Sequence, residues 1–79
     1  MKVAYFARAQ ELAGVGEEEI SLNTGADVEQ LLSEVLRIHP GLREIKQIIR
    51  TLVNGCVMLG NVPLNDGDRV TLLPAVGGG

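Results

Sequence analysis

Apolar and polar positions follow one another along this chain in patterns that predict its elements in order. "KVAYFA", residues 2 to 7, is a short apolar and aromatic run behind a charged start, which marks a strand buried on at least one face. "LAGVGEEE" reads as a glycine-punctuated turn. From Glu18 the alternation Glu, Glu, Ile, Ser, Leu places Ile20 and Leu22 on one face of a second strand, reached by a hairpin-like connection. "NTGAD" breaks that alternation, and Asp27 with Gln30 three positions later has the spacing of a capping box, so a helix is predicted to begin at Val28. Val28, Leu31, Leu32, Val35 and Ile38 then form one apolar stripe, while Glu29, Ser33, Glu34 and Arg37 point to water. The helix frays at His39, because Pro40 disfavours helical geometry in the residue before it.

"GLREIKQIIR" fits a short helical segment whose β-branched end leads into the strand of "IRTLVNG". Asn54-Gly55 is a tight-turn signal, and Cys56 to Leu59 returns as a brief strand. Pro63 and the Asp66-Gly67 turn make "NVPLNDGD" a loop, and "RVTLLP" is the last strand. The order is β-β-α-β-β-β with a short extra helix. One main amphipathic helix on one face of a four- to five-stranded sheet predicts an α+β, two-layer fold. Residues 1–76 are expected to form the single domain and 77–79 a flexible glycine tail.

Composition changes this picture in two respects. The 79 residues hold 25 Leu, Val and Ile, and at about 1.5–3 kcal/mol per fully buried aliphatic side chain that supports one core with no disulfide or metal. A single cysteine, Cys56, excludes an internal disulfide framework and a thiolate zinc cluster, which suits a reducing, cytoplasmic setting. No apolar run approaches membrane-span length, and "MKVAYFARAQ" lacks the pattern of a signal peptide, so no membrane contact is expected. Net charge is −3 and Tyr5 and Phe6 are the only aromatics, which argues against nucleic acid and favours a basic protein surface as partner.

Catalytic patterns are sparse. Cys56 and the sole histidine, His39, are far apart in sequence, so a Cys-His nucleophile pair has no local support, and each reads as structural or incidental. "GVGEEE" lacks the third glycine and the following helix of a phosphate loop. Glu17, Glu18 and Glu19 alternate faces on a strand, which disperses them as a solvated acidic edge able to steer a basic partner. The tail "LLPAVGGG" remains. Its glycines suit a carboxylate that must enter a narrow site on another protein, with a frayed terminus as the bland alternative. Alternation along "RVTLLP" turns Leu73 outward if Val70 and Leu72 meet the helix. Leu73, Pro74 and Val76 then form a candidate apolar docking patch before the tail.

"YFARAQELAG" at residues 5 to 14, the "LVNG" strand, and "PLNDGDRVTLLPAVGGG" at residues 63 to 79 resemble the MoaD family, the small sulfur-carrier subunit of molybdopterin synthase. The resemblance covers essentially the whole chain and implies the ubiquitin-like β-grasp fold. Gln10 stands where the family usually has arginine, and Ala75 where a second proline is common. Those departures leave the tail chemistry intact and bear on the choice of partner.

The resemblance also implies a mechanism. Gly77, Gly78 and Gly79 would enter an E1-like (MoeB-like) adenylating enzyme, whose ATP adenylates the Gly79 carboxylate. A sulfur donor such as a cysteine desulfurase or rhodanese then displaces AMP, leaving a thiocarboxylate. The loaded tail would insert into a MoaE-like large subunit, which carries the catalytic residues, and pass sulfur to cyclic pyranopterin monophosphate in molybdenum cofactor biosynthesis. This chain would bind no cofactor of its own. A ThiS-like carrier of the thiamine pathway shares the fold and the diglycine, although "FARAQELAG" favours the MoaD reading. A ubiquitin-like modifier joined to lysines would use the same activated tail.

Overall fold

A computed structural model describes residues 1–74. The elements are β1 (Lys2–Tyr5), α1 (Ala7–Ala13), β2 (Glu17–Glu19), α2 (Val28–Ile38), a 3₁₀ helix (Pro40–Ile48), β3 (Ile49–Val53), β4 (Cys56–Met58) and β5 (Arg69–Pro74). The five strands make one mixed sheet in the order β2-β1-β5-β3-β4. β5 lies at its centre, parallel to β1 and antiparallel to β3. With α2 packed on one face, this is the α+β, ubiquitin-like β-grasp fold predicted from the sequence.

The connection between the first two strands departs from the expectation. Residues 7–13, "ARAQELA", form a short helix that takes Ala7 out of the expected strand and Leu12 and Ala13 out of the expected turn, so the link is longer than a hairpin although β1 and β2 do pair antiparallel. The segment consists of helix formers, buries Ala9, and ends at Gly14, whose left-handed φ of 81° glycine adopts without steric cost. Its start is less relaxed. Phe6 supplies no side-chain cap and Ala7 sits at φ 53°, a conformation that costs a non-glycine residue roughly 1–2 kcal/mol. Tertiary packing of α1 on β5 and on the 3₁₀ helix holds it there.

α2 begins where the capping box predicts. The Gln30 amide donates to Asp27 Oδ1 at 2.9 Å and the Asp27 amide donates to Gln30 Oε1 at 3.0 Å, so two otherwise orphan donors are satisfied reciprocally. The bond from the Gln30 amide, followed by the Asn61 side chain, holds the Asp27 carboxyl below the usual carboxylate range. Val28, Leu31 and Val35 are buried as expected, but Ile38 is exposed and Leu36 is buried instead. The 3₁₀ helix accounts for the change, because it packs back against α2 and covers the flank that carries Leu36.

Strand alternation then sorts the core. Val3 and Tyr5 of β1, Val53 of β3, and Val70 and Leu72 of β5 face the helices and are buried with Leu31, Val35, Leu42 and Ile45. Asn54 and Gly55 both take positive φ, 52° and 86°, which is the primed turn that matches strand twist and that Asn-Gly adopts readily. Asn54 also ties this turn to the start of β5, accepting from the Arg69 amide at 3.0 Å and donating to Asp68 at 2.9 Å. Among the described residues no helix is long and apolar enough to cross a membrane.

Candidate functional site

β5, the central strand of the sheet, ends at Pro74, the last described residue. Both neighbours hold it: Tyr5 of β1 lies opposite Leu72, while Arg50 and Ile49 of β3 lie opposite Leu73 and Pro74. The Phe6 amide adds a bond to the Leu72 carbonyl at 3.2 Å. The backbone course of β5 is thus set by ladders on both sides through Leu72 and by β3 through Pro74.

Leu73 occupies the sheet face away from α2. Cross-strand register places Arg50, Leu52 and Val57 of β3 and β4, Thr71 of β5, and Lys2 and Ala4 of β1 on that same face. Phe6 continues the β1 alternation just past the strand end. Leu73 is 39% exposed, Phe6 49% and Val57 52%, so large apolar side chains lie on a face with no helix over it. The expected outward Leu73 is therefore present. Pro74 is buried and cannot extend the exposed patch, a correction that follows from its helix-side parity with Val70 and Leu72. Ala75, Val76, Gly77, Gly78 and Gly79 lie outside the described residues. Phe6 was missed by sequence reasoning as a surface residue, because an aromatic at the end of a buried strand reads as core; its i, i+2 spacing from Ala4 was the available signal.

A second constellation lies at the edge of the sheet. Only Glu17 and Glu19 form the expected acidic edge, paired with Lys2 and Arg69 and with the N-terminal ammonium group respectively. Glu18 turns inward. Its Oε2 accepts from the Tyr5 hydroxyl at 2.5 Å and lies 2.5 Å from His39 Nε2, and the Tyr5 and His39 rings meet edge to face at 5.6 Å. Because an ionised carboxylate only accepts, both contacts require the neighbour to donate. Burial pulls the Glu18 carboxyl upward, but the bonds from Tyr5 and His39 outweigh it and hold it below its ordinary range. Burial, followed by the bond to Glu18, pushes the Tyr5 hydroxyl far up. His39 is thus not a loosely exposed terminal imidazole; it is 14% exposed and joins the α2 cap to the edge strand.

That arrangement also disposes of the Cys-His pair, since His39 directs Nε2 at Glu18 while Cys56 is exposed on β4. No cluster of three metal-ligating side chains occurs among the described residues. Every buried side-chain nitrogen or oxygen among them has a partner. The surface hollows are open and of mixed lining, such as the one along α2 bounded by Ser21, Leu22, Ala26, Asp27 and Glu29. What the described residues offer is an apolar sheet face beside the end of β5.

A family model described as the ThiS family matches residues 3–79, nearly the whole chain and its last residue included. The chain belongs to the ThiS family. This member of the ThiS family is 35% identical over its full length to the molybdopterin synthase sulfur carrier subunits of Chlamydomonas reinhardtii and Homo sapiens, covering 98% and 93% of those proteins. Its fold matches a putative molybdopterin converting factor subunit 1 from Pyrococcus furiosus with a TM-score of 0.85 at 38% identity, over 95% of each chain. A chain in the complex of subunits 1 and 2 of the molybdopterin-converting factor from Helicobacter pylori matches at 0.71 and 29% identity, over 99% of this chain and 96% of that one. SAMP1 from Haloferax volcanii matches at 0.83 and 25% identity, over 99% and 97%.

Proposed function

We propose that this ThiS-family chain is the sulfur carrier subunit of a molybdopterin synthase. The observation that carries the reading is the full-length similarity to curated sulfur carrier subunits together with a family match that runs through Gly79. In this reading the Gly79 carboxylate attacks the α-phosphate of ATP on an E1-like enzyme and pyrophosphate leaves. Activation is needed because the negative charge delocalised over a carboxylate repels nucleophiles, whereas the acyl adenylate has AMP as a good leaving group. The terminal sulfur of a persulfide on a desulfurase or rhodanese donor displaces AMP to give an acyl disulfide, and a thiol then attacks the donor's sulfur, releasing the thiocarboxylate while that thiol is oxidised to a disulfide with the donor.

The loaded tail then enters a large subunit, whose residues transfer sulfur to cyclic pyranopterin monophosphate. The two-subunit complex from Helicobacter pylori supports this kind of partner, and the apolar face carrying Phe6 and Leu73 supplies the contact. Reconstitution tests the proposal. Thiocarboxylated chain mixed with its cognate large subunit and cyclic pyranopterin monophosphate should yield the dithiolene product, and the unloaded chain should not. Failure of the loaded chain would end this reading.

The likeness to SAMP1, a small archaeal modifier protein, favours a second reading in which lysine amines attack the same activated tail. Isopeptide-linked conjugates bearing the C-terminal glycines of this chain would identify that activity in cell extract.

A further inference from the structure

Asn54 is the one asparagine in this chain that precedes a glycine; Asn23, Asn61 and Asn65 precede Thr24, Val62 and Asp66. The neighbour matters because a main-chain amide nitrogen can attack the side-chain carbonyl carbon of the asparagine before it, and glycine carries no side chain to obstruct the approach. Asn54 and Gly55 are both exposed, the space beside the Gly55 Cα is open, and the Gly55 amide donates to no backbone oxygen among the described residues. The reacting atoms are within reach of water.

The fold nevertheless ties the carboxamide down. Its Oδ1 accepts from the Arg69 amide at 3.0 Å and its Nδ2 donates to Asp68 Oδ1 at 2.9 Å, so both ends are fixed at the entry to β5. Asp68 is held in turn, because its Oδ2 accepts from the Asn65 amide at 2.8 Å. The bond from Asn65, followed by that from the Asn54 side chain, keeps the Asp68 carboxyl below its ordinary range. Ring closure on the Gly55 nitrogen requires the carboxamide to turn out of both of its bonds, and an ionised Asp68 has no proton to give a departing nitrogen.

We propose that Asn54 is a site of spontaneous deamidation, latched in the folded protein by Asp68 and the Arg69 amide. The Gly55 nitrogen gives up its proton and bonds to Asn54 Cγ; the Cγ–Nδ2 bond breaks, Nδ2 takes up a proton and leaves as ammonia, and water opens the cyclic imide to aspartate or isoaspartate at position 54. Water is the only co-reactant. The product cannot rebuild the latch, because the new carboxylate brings no donor to Asp68 and faces it with like charge. Isoaspartate also lengthens the main chain of a turn whose flanking residues, Val53 and Cys56, pair directly across the hairpin. The β3–β4 turn then comes loose from the start of β5. Such a change sets how long the domain keeps its stability, whatever its tail carries.

The test is peptide mapping of the full chain aged in mildly alkaline buffer. Conversion is read as the mass by which OH exceeds NH2, located at position 54 by fragmentation. In denaturant, where the latch is gone, the chain should convert at least about tenfold faster than the folded chain. Asp68→Ala, checked by circular dichroism to be folded, should convert at least about fivefold faster than folded wild type. Glu18→Gln weakens the fold at β2, the opposite edge of the sheet, and leaves the latch intact, so it should stay within about twofold of wild type. Equal rates in folded and denatured wild type, or no faster conversion in Asp68→Ala than in Glu18→Gln, overturns the latch. Absence of conversion in denaturant overturns the site. The comparison of folded with denatured wild type decides the latch even if Asp68→Ala does not fold.

Discussion

Glu18 and His39 meet at 2.5 Å, so the edge strand β2 is tied to the residue that caps α2. The Tyr5 hydroxyl bonds the same carboxylate oxygen from within the core. A charged group accepts two bonds there at the margin of the hydrophobic layer, with 23% of its side chain exposed. Replacing it removes a charge-assisted contact and leaves two donors without a full partner.

Glu18→Gln is accordingly expected to destabilise the fold by about 1–3 kcal/mol at neutral pH. The pH dependence has a definite sign. A carboxyl held below its ordinary value of 4.5 in the folded state contributes stability above that value and loses it as pH falls through the lower folded value. Thermal unfolding from pH 7 to pH 3 should show the gap between wild type and variant narrowing in acid. A gap that widens would contradict the assignment.

The capping box offers a second test of how the sequence specifies α2. Asp27→Ala removes the acceptor of the Gln30 amide and exposes the helix start, so the melting temperature should fall while the folded spectrum is unchanged. Gln30→Ala should lower it less, because its side chain satisfies a single amide, that of Asp27.

Much of this was legible in the chain. Asp27 and Gln30 announced the start of α2, Asn54-Gly55 the β3–β4 turn, and the alternation in "RVTLLP" the outward Leu73. What escaped had physical causes. α1 is seven residues long, too short for a helical period to stand out, and it begins at a strained Ala7 with no capping residue to mark it. Leu36 replaced Ile38 in the core because the 3₁₀ helix that follows at Pro40 folds back on α2, and the periodicity of α2 alone does not encode which flank it covers. Alternation set Glu18 on the other face from Glu17 and Glu19, but the partners it meets there, Tyr5 and His39, come together only in the tertiary structure.

The apolar face makes a prediction about assembly. Leu73→Asp should leave the fold intact, since Leu73 points away from the core, yet weaken binding to a large subunit by about 2 kcal/mol or more, the scale of an interface hot spot. Phe6→Ala should act in the same direction. Titration of the folded variants against that subunit decides the matter, and affinities within twofold of wild type would remove these residues from the interface.

Tail geometry should separate from stability. Gly78→Val introduces a β-branched side chain that a narrow channel resists. Adenylation should slow severely with no change in melting temperature. Parallel loss of both would mean that Gly78 is packed within the domain.

Intact-mass measurement addresses the central claim most directly. The purified chain, incubated with its cognate adenylating enzyme, ATP and a sulfur donor, should gain the mass that corresponds to one oxygen replaced by sulfur, located by fragmentation at Gly79. An unchanged mass under conditions that load an established sulfur carrier would contradict the account.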